Sequence, residues 1–233
     1  MDEKKVLIAA PFGDSKEYSI NEWLGWISEQ DYSNYEVAVC VNGRSEESQK
    51  KKIDLMKQIE INDRALHVLS LPFSQYHTTK VRISRSRELL RAFAIGRGYD
   101  YIFWLDSDTI PMKLDAITKL MKWDVGMVSG LYCYKNSKQP IVIDKDTRTN
   151  MTLKKIEACA KNNELVEVLG FGFGCVLVKR EVFEKVVFDY TYMREAWTDD
   201  FQYCEYMDKA GIKRYFDPWV VCKHLHRSGF TIN

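Results

Sequence analysis

The chain has 233 residues, with 34 Lys and Arg against 33 Asp and Glu, a formal net charge of +1, 45% hydrophobic residues and 13% aromatic residues. That length and apolar content fit one large domain or two small ones with a substantial core, and they exclude a disordered chain. The near-neutral balance removes the attraction on which binding to nucleic acid or to an anionic membrane depends, so no nucleic-acid partner is expected.

Residues 6–10 read as a first strand. Residues 21–29 carry Trp23, Leu24, Trp26 and Ile27 at helical spacing, and 36–41 then read as a second strand ending in the turn-prone Asn42-Gly43. A charged amphipathic helix is expected over 45–62. Its polar face, with Glu46, Glu47, Lys50, Lys51, Lys52 and Lys57, reads as solvated surface. A third strand over 66–71, a loop over 72–80 and a helix over 83–95 stopped by Gly96-Arg97-Gly98 follow. Residues 101–105 are a continuous apolar run, the pattern of a central strand buried on both faces, and they end abruptly in Asp106-Ser107-Asp108. A helix over 113–123 and a strand over 125–131 complete the first half. Beyond it, strands are expected over 141–143, 166–169 and 175–178, with helices over 180–187 and 199–210. The alternation predicts an α/β fold in which a mostly parallel sheet flanked by helices passes into a mixed second half. No linker or repeat divides the chain, so 1–233 reads as one domain.

The apolar stretches fall far short of the roughly 18 consecutive residues of a spanning helix, so no transmembrane segment is expected. Met1 to Lys5 lead straight into a strand-like run with no signal-peptide profile, which points to a cytoplasmic protein. The six cysteines, Cys40, Cys133, Cys159, Cys175, Cys204 and Cys222, include no C-x-x-C pair and read mostly as buried thiols.

Two carboxylates just past a buried strand are costly unless they face a cleft. In open α/β sheets the ligand crevice lies outside the carboxyl ends of the strands. Residues i and i+2 of an extended segment point to one side, about 6 to 7 Å apart, so Asp106 and Asp108 can address one ligand complex. Hard oxygen ligands suit Mg²⁺ or Mn²⁺ carrying a diphosphate. The competing reading is a turn or helix cap ahead of Ile110-Pro111.

The segment Asp100-Tyr101-Ile102-Phe103-Trp104-Leu105-Asp106-Ser107-Asp108-Thr109-Ile110-Pro111 resembles the D-x-D segment of GT-A-fold glycosyltransferases, especially family 2-like enzymes. Ser84-Arg85-Ser86-Arg87 is similar to the family's Ala-Arg-Asn-Arg segment, and Val128-Ser129-Gly130-Leu131-Tyr132 to the strand after the D-x-D. Further on, Val168 to Gly174 resembles the glycine-containing acceptor-side segment, Thr198-Asp199-Asp200-Phe201 stands in place of the Ser/Thr-Glu-Asp motif, and Asp217-Pro218 to His224 resembles the closing strand and histidine. The matches run in family order over most of the chain.

The resemblance implies a GT-A-type domain with a nucleotide-sugar-binding half over about 1–131 and an acceptor-facing catalytic half over about 132–233. It implies a donor of the nucleotide-sugar class, UDP-linked first and GDP-linked second, and a saccharide, glycoprotein or other hydroxyl acceptor. It assigns Asp108 to Mn²⁺ or Mg²⁺, and Asp106 to the ribose or the metal shell. Pro11, Phe12 and Asn42 fall at strand ends where the family holds the nucleoside, although Asn42 replaces a frequent acidic residue and also suits an Asn-Gly turn. Arg85 and Arg87 read as donors to the diphosphate or as solvated helix-end charges. Asp200 matches the family's catalytic Asp, the general base of an inverting transfer, and Asp199 replaces its Glu; both also suit a first helical turn as caps. His224 aligns with a C-terminal metal-ligating histidine, and His226 lies on the same side of an extended segment.

Gly170-Phe171-Gly172-Phe173-Gly174 precedes a strand, whereas a dinucleotide fingerprint opens a helix, so a Rossmann dehydrogenase is rejected. Those glycines read as permitting close approach of an acceptor, with Phe171, Phe173 or Trp197 as an apolar face for a sugar ring; core packing competes for both phenylalanines. A nucleotidyltransferase acting on sugar phosphates is a second enzyme class for such a chain. Its glycine-rich basic loop is poorly matched by Pro11-Phe12-Gly13-Asp14-Ser15-Lys16. A non-catalytic carbohydrate-binding protein of the same fold is the third reading.

Overall fold

Alternate residues of the first strand (β1, Val6–Gly13) serve two different cores, which is why its apolar run is uninterrupted. Val6, Ile8, Ala10 and Phe12 pack on one face of the sheet with Trp23, Trp26 and Ile27 of a helix (α1, Ile20–Glu29); Leu7 and Ala9 belong to the core on the other face. The computed structural model describes residues 3–226 apart from 63, 65, 76, 136, 163 and 192–197.

After α1 come β2 (Tyr35–Asn42), α2 (Glu46–Lys57), β3 (Leu66–Ser70), α3 (Thr79–Gly96), β4 (Tyr101–Leu105), β5 (Thr109–Pro111), α4 (Ala116–Lys122) and β6 (Met127–Leu131). The second half adds β7 (Val142–Asp144), α5 (Leu153–Lys161), β8 (Val166–Phe171), β9 (Cys175–Lys179), α6 (Arg180–Phe183), α7 (Asp199–Lys209) and β10 (Arg214–His224). Among the described residues these strands form one ten-stranded sheet in the order β3-β2-β1-β4-β9-β6-β10-β8-β7, with β5 against β10. β3, β2, β1 and β4 run parallel, while β9 enters antiparallel between β4 and β6, so the mixed character expected of the second half is present. β4 is buried at all five positions, as its unbroken apolar run requires.

Several boundaries differ from expectation for local reasons. α3 begins at Thr79, because the Thr78 hydroxyl accepts from Val81 N at 3.3 Å and caps it. α5, capped in the same way by Thr152, is a helix in a stretch for which the sequence pattern predicts no element. β10 is longer than expected, since Asp217-Pro218 forms an irregularity between Phe216 and Val221 and does not end the strand. The polar face of α2 is not wholly solvated either. Lys52 is only 4% exposed and bridges Asp14 at 2.6 Å and Glu17 at 2.7 Å, both beyond the end of β1. Among the described residues the cysteines are free thiols, with Cys40, Cys175, Cys204 and Cys222 buried.

The turn between β8 and β9 requires its glycines. A Cβ on Gly174 would lie 2.6 Å from Tyr132 Cζ and 2.8 Å from Thr109 Oγ1, and Gly174 N donates to Tyr132 Oη at 2.9 Å. Tyr132 is buried, and its hydroxyl is tied to the Gly174 backbone by that hydrogen bond. Gly174→Ala is therefore expected to lower unfolding free energy by about 1–3 kcal/mol, read as a lower urea midpoint at unchanged slope.

Candidate active site

The parallel strands β1, β2 and β4 end side by side, and a cleft of about 240 Å³ opens over their carboxyl ends. Pro11 and Gly13 of β1, Asn42 of β2 and Asp106 just beyond β4 form its floor, and Asp199 and Asp200 at the start of α7 face them. Gly13 and Asn42 are paired in register so closely that a Cβ on Gly13 would sit 2.8 Å from Asn42 Oδ1. The Asn42 amide is oriented by donating from Nδ2 to Ser86 Oγ at 3.0 Å. Lys16, Arg44 and Arg82 supply cationic side chains to the same cleft.

At the base of the cleft three carboxylates gather around one buried guanidinium. Arg87 donates to Asp199 Oδ2 at 2.6 Å and to Asp106 Oδ1 at 3.0 Å, with its guanidinium 5.1 Å from the centre of the Phe173 ring. Burial alone would favour deprotonation of Arg87, but Asp199, Asp106 and Asp200 outweigh it and hold the guanidinium charged. One cation cannot balance three anions. Burial pushes the Asp199 carboxyl up to about 6, with Arg87 opposing and the negative charges of Asp200 and Asp106 reinforcing the rise. The Asp200 carboxyl is likewise raised by burial, against Arg87, Thr198 and Phe201. Asp200 is half-buried; its Oδ1 accepts from the Thr198 hydroxyl and from Phe201 N, the latter at 2.9 Å.

Asp108 belongs to a separate cluster. The extended i, i+2 geometry expected for the acidic pair is broken by a tight turn in which Thr109 N donates to Asp106 O at 2.8 Å. Asp106 therefore reaches Arg87, while Asp108 is fully buried and ion-paired to Lys16 and Lys135. β5 then pairs antiparallel with the end of β10, and Leu225 N donates to Asp108 O at 2.8 Å. That pairing brings His224 Nε2 to 3.5 Å from Asp108 Oδ2. Burial alone would raise the Asp108 carboxyl, but Lys16, His224 and Lys135 hold it well below the usual carboxylate range.

The donor chemistry here suits a divalent cation. His224 Nδ1 lies 2.8 Å from the Cys133 carbonyl, which only accepts, so Nδ1 donates there and Nε2 is the ring atom that faces Asp108. Asp108 Oδ1 is buried with no hydrogen-bond donor, leaving only its ionic contact with Lys16. A carboxylate oxygen and an imidazole nitrogen facing one another are donor types that a divalent cation accepts. Among the described residues no group of three or more His, Cys, Asp and Glu side chains is arranged to hold a metal ion, so remaining ligands would have to come from substrate or water.

The Glycosyltransferase like family 2 matches the chain over residues 6–233. The chain belongs to that family. No curated protein matches it by sequence. Among solved structures, the glycosyltransferase is similar to the mannosyltransferase PcManGT from Pyrobaculum calidifontis in complex with GDP-Man and Mn²⁺, at 19% identity and a TM-score of 0.64, covering 98% of this chain and 59% of that one. It is also similar to S. aureus TarS 1-349, at 14% identity and a TM-score of 0.60, covering 94% and 59% respectively. A197 from STIV matches at 18% identity and a TM-score of 0.53 over 98% of this chain and 93% of that one. At such identities the likeness is one of fold, and the chain spans 59% of the length of the first two.

Within this glycosyltransferase fold, Pro11, Asn42, Arg87, Asp106, Asp199 and Asp200 meet in one cleft. Phe12 does not, since its parity along β1 buries it in the core. Arg85 also turns away: its Nη1 lies 2.7 Å from His77 Nδ1 and its guanidinium over the Tyr190 ring, while Arg82, three residues earlier on α3, takes the cleft position. Arg87 is reached as expected but is engaged by carboxylates of its own chain. Phe171 and Phe173 are core residues, and the close approach allowed by Gly172 and Gly174 is that of Tyr132. Trp197 lies outside the described residues. Sequence reasoning passed over Lys16, Arg82 and Lys135. Of these only Arg82 carries a local signal, as an arginine one helical turn before Ser86, the residue that orients Asn42.

A larger cavity of about 370 Å³ lies across α7, lined by Leu169, Gly170, Phe201, Cys204 and Arg214 among others. Glu205 and Asp208 also line it, but it does not lie over the carboxyl ends of β1, β2 and β4 and contains none of Asp106, Asp199 and Asp200. No helix among the described residues is long and apolar enough to cross a membrane.

Proposed function

We propose that residues 1–233 work as one glycosyltransferase domain that moves a sugar from a nucleoside-diphosphate donor to an acceptor hydroxyl with inversion at the anomeric carbon. The observation that carries this reading is the convergence, over the carboxyl ends of β1, β2 and β4, of a cleft lined by cationic side chains and Asp106 with Asp200 on the opposite wall. The similarity to a mannosyltransferase solved with GDP-Man and Mn²⁺ supports it, and UDP- and GDP-linked sugars are the donors to test.

In this reading Pro11 and Asn42 hold the nucleoside, and Asp106, held in place through Oδ1 by Arg87, receives the ribose hydroxyls. Lys16, Arg44 and Arg82 face the diphosphate as charged donors. Asp108 and His224 hold Mn²⁺ or Mg²⁺, which when bound neutralises charge developing on the departing diphosphate. Asp200, with Oδ1 occupied by Thr198 and Phe201, takes the acceptor proton at Oδ2 as the hydroxyl oxygen bonds the anomeric carbon and the bond to the diphosphate breaks. The raised position of its carboxyl makes it a stronger base than an exposed aspartate.

Diphosphate release from a panel of UDP- and GDP-sugars with Mn²⁺ or Mg²⁺ tests this reading. Asp108→Asn, which preserves shape inside a buried site, is expected to weaken metal-dependent nucleotide binding by on the order of 10- to 100-fold or more, with the near-UV spectrum of the fold retained. Metal-dependent nucleotide affinity equal to wild type in that variant would remove Asp108 from the site.

A further inference from the structure

Asp108 is met by more positive charge than one carboxylate can balance. Lys16 pairs with Oδ1 and Lys135 with Oδ2, and the Tyr18 hydroxyl stands 3.3 Å from Oδ2 and 2.9 Å from Lys135 Nζ. The two lysines come from different places: Lys16 follows β1, and Lys135 lies in the segment after β6. Lys16 also lines the cleft that contains Asp106 and Asp200, while Lys135 lines a depression shared with Tyr132 and His224. Their side chains are 23% and 32% exposed, whereas that of Asp108 is fully buried and its backbone is tied to Leu225. The lysine side chains are the partners with freedom to move.

A divalent ion arriving while both ammonium groups remain would add two positive charges to a spot that already holds two cations against one anion. The low-dielectric surroundings of Asp108 make that repulsion expensive. Phosphate oxygens are strong acceptors for ammonium donors, and a diphosphate in the cleft lies on the side that Lys16 lines.

We propose that Lys16 and Lys135 form a cation-exchange switch: without donor their ammonium groups occupy Asp108 in place of the divalent ion, and a nucleoside diphosphate draws them onto its phosphate oxygens and frees Asp108 for the metal. The switch rests on the assignment of Asp108 to the metal. Its consequence is strong positive coupling between metal and nucleotide, in which each lysine opposes metal binding alone and favours nucleotide binding. Such coupling keeps the free enzyme from holding an ion with no donor to position.

The test measures Mn²⁺ affinity from the electron paramagnetic resonance signal of free Mn²⁺, without nucleotide and with whichever of UDP and GDP binds the wild type. Titration calorimetry gives the nucleotide affinity, for wild type, Lys16→Gln, Lys135→Gln and Asp108→Asn, each checked for a cooperative thermal transition. Each lysine variant alone should bind Mn²⁺ at least several-fold more tightly than wild type in the absence of nucleotide and bind the nucleotide more weakly, shrinking the coupling factor. A lysine that merely packs its loop would not improve metal binding. Either folded lysine variant binding free Mn²⁺ no more tightly than wild type overturns the switch, while loss of nucleotide-dependent Mn²⁺ binding in Asp108→Asn would show the metal assignment still standing. Mn²⁺ binding unaffected by Asp108→Asn overturns both.

Discussion

Asp200→Asn is expected to retain donor binding and to lose transfer by on the order of 10² to 10⁴ in rate, the contribution of a positioned general base. The amide can keep the hydrogen bonds that Asp200 Oδ1 accepts from Thr198 and Phe201, so the start of α7 should stay in place. What it cannot do is accept a proton. Because burial raises the Asp200 carboxyl, the acid limb of the wild-type rate profile should lie above the usual carboxylate range, and the variant should show no such limb. Asp199→Asn should cost less in transfer, since Asp199 is committed to Arg87 at 2.6 Å. Near-wild-type turnover in Asp200→Asn, or a product that keeps the donor's anomeric configuration, would defeat the base assignment without touching the fold.

Arg87→Met should destabilise the protein by about 3–5 kcal/mol, because it removes the one cation buried among Asp106, Asp199 and Asp200 and leaves their charges uncompensated. The loss should depend on pH. The folded Asp199 carboxyl, at about 6, lies above its value in an unfolded chain, so the stability it contributes is complete in acid and is lost as pH rises toward 6. Without Arg87 the folded carboxyl moves higher still, and the loss continues into the neutral range. The gap in melting temperature between wild type and variant should therefore widen from pH 5 to pH 8. A gap independent of pH would show that Arg87 acts through packing on Phe173 and not through these charges.

The parts of this protein legible in its sequence are those set by local pattern. The apolar run of β4, the spacing of Trp23 and Trp26 on α1, and the acidic residues opening α7 all lie where pattern places them. Strand parity alone, applied more strictly, would have buried Phe12 with Val6, Ile8 and Ala10. The failures share a physical origin in long-range pairing. Lys52 resembles its exposed neighbours Lys50 and Lys51 until Asp14 and Glu17 arrive from another element. The two carboxylates of the acidic turn were expected to act together, yet the turn sends one to Arg87 and the other to lysines 92 and 27 positions away along the chain. β5 is too short to show any period, and its pairing with β10 is what sets His224 beside Asp108.

The central claim is that the cleft over β1, β2 and β4 is the donor site. A crystal structure of the protein with a nucleoside diphosphate and Mn²⁺ tests it most directly. The nucleotide should lie against Pro11, Asn42 and Asp106, with the metal on Asp108 and His224 and with Asp200 across the cleft from the diphosphate. A nucleotide bound instead in the cavity beyond α7, or at the β7 edge of the sheet, would contradict the account.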